Sequence, residues 1–229
     1  MLSESEGNFL DGCRFVYIDM GTNIGVQIRK LYEPQLYPNS SVFSLFTRIF
    51  GSRNKEVCSV GFEANPYHDE YLKDFENYCL KRHYRVKIFT STAVSITNES
   101  QAFYVQSEDT LYNQWGSSLL PNRNKTKIIV SSIDIASWIR GTVLTRKIPS
   151  GLPLAKIMMK TDIEGHDSIV LTNLIFSGVY CSIDLIYGEH FNQEFQHAVS
   201  ILKQYTNSCK TELVPLDDES HFMIKLPFF

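Results

Sequence analysis

Residues 15–25, Phe-Val-Tyr-Ile-Asp-Met-Gly-Thr-Asn-Ile-Gly, constrain the fold more than any other stretch of this 229-residue chain. Four consecutive β-prone residues, Phe15, Val16, Tyr17 and Ile18, read as a strand buried on both faces, as in parallel sheets. The strand runs into Asp19. Gly21 and Gly25 then bracket a turn into a helical pattern over 26–32. Glycines let the backbone approach a ligand closely, so an acid followed by a glycine turn at a strand's carboxyl end suits a nucleotide-like molecule. A tight βα turn with no ligand is the plainer alternative.

The spacing separates ligand classes. A dinucleotide fingerprint has Gly-x-Gly-x-x-Gly with a pyrophosphate over the helix. Here the acid precedes the first glycine and Asn23 stands where a middle glycine might fall. Asn tolerates positive φ, so the turn survives. A carboxylate at this place repels a pyrophosphate but suits the ammonium of an amino-acid-bearing cofactor. That favours S-adenosylmethionine (SAM) over NAD.

The rest of the chain repeats the strand-then-acid pattern. Residues 57–63 form a second expected strand ending at Glu63, placed to accept hydrogen bonds from ribose hydroxyls, with Ala64 beside it. Glu63 follows the glycine turn by about forty residues where about twenty is usual. The excess is an insertion at about 33–56, with its own helix carrying Val42, Leu45, Phe46 and Ile49 on one side. Pro66 opens the next helix. A third strand over 85–90 leads to Thr92 and Ala93, small residues that leave room for a flat ring. An added strand over 102–105, a long polar loop over 107–125, a strand over 127–130 and a helix over 133–139 follow. A loop of that length in a compact domain is more often functional than idle.

The second informative cluster is Lys-Thr-Asp-Ile-Glu-Gly-His-Asp at 160–167. A strand ends at Asp162, and a turn at Gly165 starts a helix. One more strand, 181–187, ends at Gly188, Glu189 and His190. Segments 211–215 and 221–226, joined by a polar turn, read as a closing antiparallel hairpin. Strands alternating with helices imply a three-layer α/β fold of Rossmann-like type. Asp19, Glu63, Asp162 and Glu189 then meet at one edge of the sheet, where ligands bind in such folds. Residues 1–13 read as a loose leader to one domain spanning 14–229.

Composition bounds the function. A formal charge of −3 does not suit a protein that coats nucleic acid. The basic runs at 81–87 and 123–127 read as solvated faces. No apolar run is long enough to span a membrane. The five cysteines, Cys13, Cys58, Cys79, Cys181 and Cys209, show no CxxC pairing and read as buried thiols. Sequons start at Asn39, Asn98 and Asn124; they permit glycosylation without establishing a secretory location. The cytoplasm is favoured on these grounds, with a secretory lumen left open should a signal precede the chain. The oligomeric state is not readable.

Four motifs taken together, Asp-Met-Gly-Thr-Asn-Ile-Gly at 19–25, Gly-Phe-Glu-Ala-Asn-Pro at 61–66, the 160–167 cluster and Tyr-Gly-Glu-His at 187–190, resemble the FkbM-type SAM-dependent methyltransferases. The resemblance covers residues 14 to 226, and the extended first helix with Tyr37-Pro38 beyond it looks like a eukaryotic-type branch. It implies a class I methyltransferase fold with a mostly parallel seven-stranded sheet and a reversed last strand. It also implies methyl transfer to a hydroxyl of a sugar, glycan or other small molecule. The cofactor-binding residues are then Asp19, Gly21, Thr22, Asn23, Gly25, Glu63, Ala64, Thr92, Ala93 and Asp162.

A hydroxyl acceptor needs a base, and Glu164, His166, Glu189 and His190 are the candidates near the strand ends. Asp162, Glu189 and His190 holding a divalent cation is a less favoured variant. Thr22, Ala64 and Gly188 depart from the family's usual residues, which bears on the acceptor more than on the cofactor. Two rival readings remain: a nucleic-acid methyltransferase, and an inactive methyltransferase fold kept as a binding module.

Overall fold

A computed structural model describes residues 7–106, 114–151, 154–189 and 191–218. The central strand β1 (Phe15–Met20) is buried along its whole length. Its side chains alternate between two cores, as a strand covered on both faces requires. Val16, Ile18 and Met20 enter one core, while Phe15 and Tyr17 enter the other. Helices α1 (Val26–Tyr32), α2 (Phe43–Phe50) and α3 (Asp69–Lys81) supply Ile28, Leu31, Phe46, Leu72 and Phe75 to the Phe15 side. Helices α4 (Ile135–Trp138), α5 (Asp167–Phe176) and α6 (Gln193–Tyr205) supply Ile135, Val170, Leu171, Phe195 and Val199 to the Val16 side. The result is three layers: helices, sheet, helices.

The main sheet contains β2 (Val57–Phe62), β3 (Arg85–Phe89), β7 (Lys156–Thr161), β8 (Leu185–Gly188) and β9 (Glu212–Pro215) besides β1. Its order is β3-β2-β1-β7-β8-β9, and every neighbouring pair is parallel. Chain order reverses between β1 and β7, so the carboxyl ends of those two strands flank a crevice. A smaller sheet holds β4 (Thr92–Ser95), β6 (Thr126–Asp134) and β5 (Ser100–Val105), in that order. β4 is parallel and β5 antiparallel to β6.

The described part of the main sheet has six strands, and β9 joins it parallel to β8. The second arm of the expected hairpin, 221–226, lies outside the described residues. One correction concerns residues 133–134, expected to be helical, which extend strand β6 instead. The helix waits for Asp134, whose side chain accepts from the Ala136 and Ser137 N–H groups as an N-cap. Residues 8–13, expected to be loose, are held: Asn8 Nδ2 donates to the Thr142 carbonyl, the Gly12 N–H to the Lys147 carbonyl, and Leu10 is buried.

The cysteines also differ from expectation. Cys13 pairs with Cys58 and Cys181 with Cys209, leaving Cys79 as a buried thiol that burial pushes up to about 12. Sequence separations of 45 and 28 concealed these pairs. Loop closure alone gives each a stabilisation of about 4 kcal/mol. Among the described residues no helix is long and apolar enough to cross a membrane.

Candidate functional site

The turn after β1 is shaped by close packing. Gly21 has φ +80°, and a Cβ there would overlap the carbonyl oxygen of Asp162. Gly25, also at +80°, lies so close to the Phe75 ring that a Cβ would sit 2.7 Å from it. Asn23 takes positive φ (50°), the conformation its residue type allows. The Gly21 and Thr22 N–H groups donate to the Phe62 carbonyl, and Asp162 N–H donates to the Met20 carbonyl. The ends of β1, β2 and β7 are thereby locked together.

Glu63 stands at the centre of this arrangement and is only 7% exposed. One carboxylate oxygen accepts from the Asn23 N–H at 2.6 Å and the other from the Asn65 N–H at 2.7 Å. His68 Nδ1 lies 3.5 Å away. A carboxylate offers about four lone-pair sites, so Glu63 keeps acceptor capacity towards the adjoining cavity while bracing the glycine turn.

That cavity encloses about 860 Å³, part of it open to solvent. Of the residues singled out by sequence, Gly21, Thr22, Asn23, Glu63, Ala64, Thr92, Ala93, Asp162 and Glu164 all line it. Ala93, Val94, Phe103 and Leu119 add apolar lining, and Ala93, Phe103 and Leu119 pack together in one cluster. Asp19 and Gly25 are absent from the walls. Asp19 is fully buried, at 0% exposure, behind the lining residue Lys160 at 3.8 Å. Glu189 is exposed and borders a smaller adjoining cleft that shares Gln27, Lys160 and Asp162 with the main cavity. His166 opens helix α5 but lines neither space. Its two ring nitrogens have no hydrogen-bond partner among the described residues, and burial lowers its pKa. His190 lies outside the described residues.

Lys160 belongs to the 160–167 motif, in which the sequence pattern alone assigns it no role. Its Nζ donates to the Gly21 carbonyl (3.1 Å), pairs with Asp162 (3.0 Å) and lies 3.8 Å from Asp19. The signal was its i, i+2 relation to Asp162 at the end of β7, which puts both on one face. Neither Asp19 oxygen, nor Oδ1 of Asp162, has a hydrogen-bond partner among the described residues. Burial raises Asp19 to about 7; Lys160 opposes the rise, and Asp162 and Glu63 add to it.

Residues 114–118, in the described part of the long polar segment, reach this edge. Asn65 Nδ2 donates to Gln114 at 3.0 Å, and Ser118 Oγ donates to the Glu164 carbonyl at 2.7 Å. Residues 114–118 thereby connect the end of β2 to the turn after β7, and Trp115 and Ser117 line the cavity. Asp167 holds that turn by accepting from the Thr161 hydroxyl and the Ile163 and Gly165 N–H groups. Among the described residues no cluster of three or more His, Cys, Asp or Glu is placed to hold a metal ion.

No family model matches this sequence, and no curated protein matches it.

Proposed function

We propose that the chain is a SAM-dependent methyltransferase of FkbM type that methylates a hydroxyl of a sugar or other small molecule. One observation carries the reading: acids at the ends of separate parallel strands, Glu63 and Asp162, line a single cavity together with a glycine turn and with apolar residues. The residues fit the cofactor. Asp162 Oδ1, unpartnered among the described residues, suits an ammonium, and Lys160 beside it suits a carboxylate. Glu63 has lone pairs left for ribose hydroxyls. Ala93, Val94, Phe103 and Leu119 form a slot for adenine.

When bound, the cofactor supplies a methyl group on a sulfonium, which an acceptor oxygen displaces in line. The chain's own residues position that oxygen and take its proton. Glu164 on the cavity wall and Glu189 in the adjoining cleft are the acids that border the acceptor's approach, and exposure of Glu189 leaves that approach open.

Calorimetry with SAM tests this. Glu63→Ala removes charge-assisted hydrogen bonds to two hydroxyls, each worth about 1.5–3 kcal/mol, so binding weakens by at least about 100-fold. Glu189→Ala leaves binding unchanged and lowers methyl transfer by about 10²–10⁴-fold. Thermal melts check that both variants fold. Wild-type protein that gives no heat with SAM contradicts the proposal.

A further inference from the structure

We propose that Asn39, Asn98 and Asn124 carry N-linked glycans, added where the chain also forms its two disulfides, in an oxidising, glycan-transferring compartment. Two independent observations meet here. The first is the pairing of four of the five cysteines, Cys13 with Cys58 and Cys181 with Cys209. Structural disulfides persist in secretory compartments and are rare where thiols are kept reduced.

Their position marks both pairs as structural. Cys13 precedes β1 and Cys58 is near the start of β2, while Cys181 and Cys209 precede β8 and β9. In an all-parallel sheet these are amino-terminal ends, so both bridges lie at the edge opposite the candidate site. They brace the strand starts and have no place in the chemistry at the strand ends.

The second observation is the exposure of all three sequons. Asn39, Asn98 and Asn124 are exposed, and so are Ser41, Ser100 and Thr126, the hydroxyl residues two positions on. Asn98 accepts from the Asp134 N–H through Oδ1, which leaves its amide nitrogen out of that bond. None of the three asparagines lines the cavity, so glycans at these places leave the candidate site open.

The chemistry balances with donors of known class. The asparagine amide nitrogen bonds to C1 of an oligosaccharide carried on a lipid diphosphate; the sugar–phosphate bond breaks, the lipid diphosphate leaves, and one amide proton is released. Each cysteine pair forms its bridge by exchange with a disulfide of an oxidoreductase, which takes up the two electrons and two protons. The proposal is independent of the methyltransferase reading.

The test uses the full chain captured from its own cells without reductant. Denatured protein is alkylated, then treated with peptide N-glycosidase in heavy-oxygen water, and its peptides are mapped by mass spectrometry. The expected result is heavy-oxygen Asp at positions 39, 98 and 124, alkylation of Cys79 alone, and linked peptides joining the two cysteine pairs. Unlabelled Asn at all three positions overturns the glycan assignment, whether or not the disulfides are found. Alkylation of Cys13, Cys58, Cys181 and Cys209 overturns the compartment. In glycosylating cells that express the same chain, Asn39→Gln, Asn98→Gln and Asn124→Gln each remove one glycan step on a gel. A variant that migrates like wild type before and after glycosidase overturns that site.

Discussion

Two buried charge clusters, Lys30 with Asp218 and Lys160 with Asp19 and Asp162, are finished differently. In the first, Lys30 and Asp218 form an ion pair at 3.2 Å, both inaccessible to water. Asp218 also accepts from the Ser40 hydroxyl and from the Val42 N–H at 3.0 Å, and its backbone carbonyl accepts from Lys30 and Gln27. In the second, Lys160 faces Asp19 and Asp162, yet both Asp19 oxygens and one Asp162 oxygen have no hydrogen-bond partner among the described residues. Buried charge is tolerated when every lone pair is used and is costly otherwise. The first cluster is a fastening that clamps the chain's late segment to α1 and the 37–42 loop. The second keeps acceptor capacity next to a cavity, as a site that expects a cation does.

The largest effect that separates the clusters is on stability. Lys30→Met strands the Asp218 carboxylate in the interior and costs about 3–5 kcal/mol in denaturant unfolding. Equal melting of Lys30→Met and wild type breaks the comparison. Asp162→Asn keeps shape and removes charge, so it weakens SAM binding roughly 10- to 100-fold while leaving the unfolding midpoint near wild type. A large loss of stability in Asp162→Asn instead makes the second cluster another fastening.

A third effect is pH-dependent and concerns Asp19, faced by Lys160, Asp162, Glu63 and Lys30, with Tyr17 and Tyr187 alongside. Its folded-state value of about 7 stands above the ordinary 3.8, so between those values the folded state binds more protons than the unfolded one. Stability from this group therefore falls as pH rises from about 4 to about 7 and levels off above. Asn mimics the protonated form. The stabilising effect of Asp19→Asn should be absent near pH 4, grow through that window and plateau beyond it. Thermal melts across pH check this, and a flat difference sharpens the comparison against Asp19.

The difference between the clusters also marks what the sequence could convey. Asp19, Glu63 and Asp162 were legible because each ends a strand read from a local apolar run, and parallel strands bring their ends to one edge. The Lys30–Asp218 pair spans 188 residues and leaves no local trace. The disulfides were hidden for the same reason. Asp19 was legible as a strand-end acid but not as a fully buried one, because strand alternation sets the face and not the depth. Residues 133–134 differ from expectation because Ile133 and Ile135 read as one helical stripe, although Asp134 between them is an N-cap signal. β4 was missed because Thr92 and Ala93 read as space for a ring. The structure uses them for that wall and for pairing to β6.

A crystal grown with S-adenosylhomocysteine tests the central claim most directly. The account predicts the ribose hydroxyls on Glu63, the amino-acid end between Asp162 and Lys160, and the adenine against Ala93 and Phe103. A ligand bound elsewhere, or a cavity that stays filled by water at saturating ligand, contradicts it.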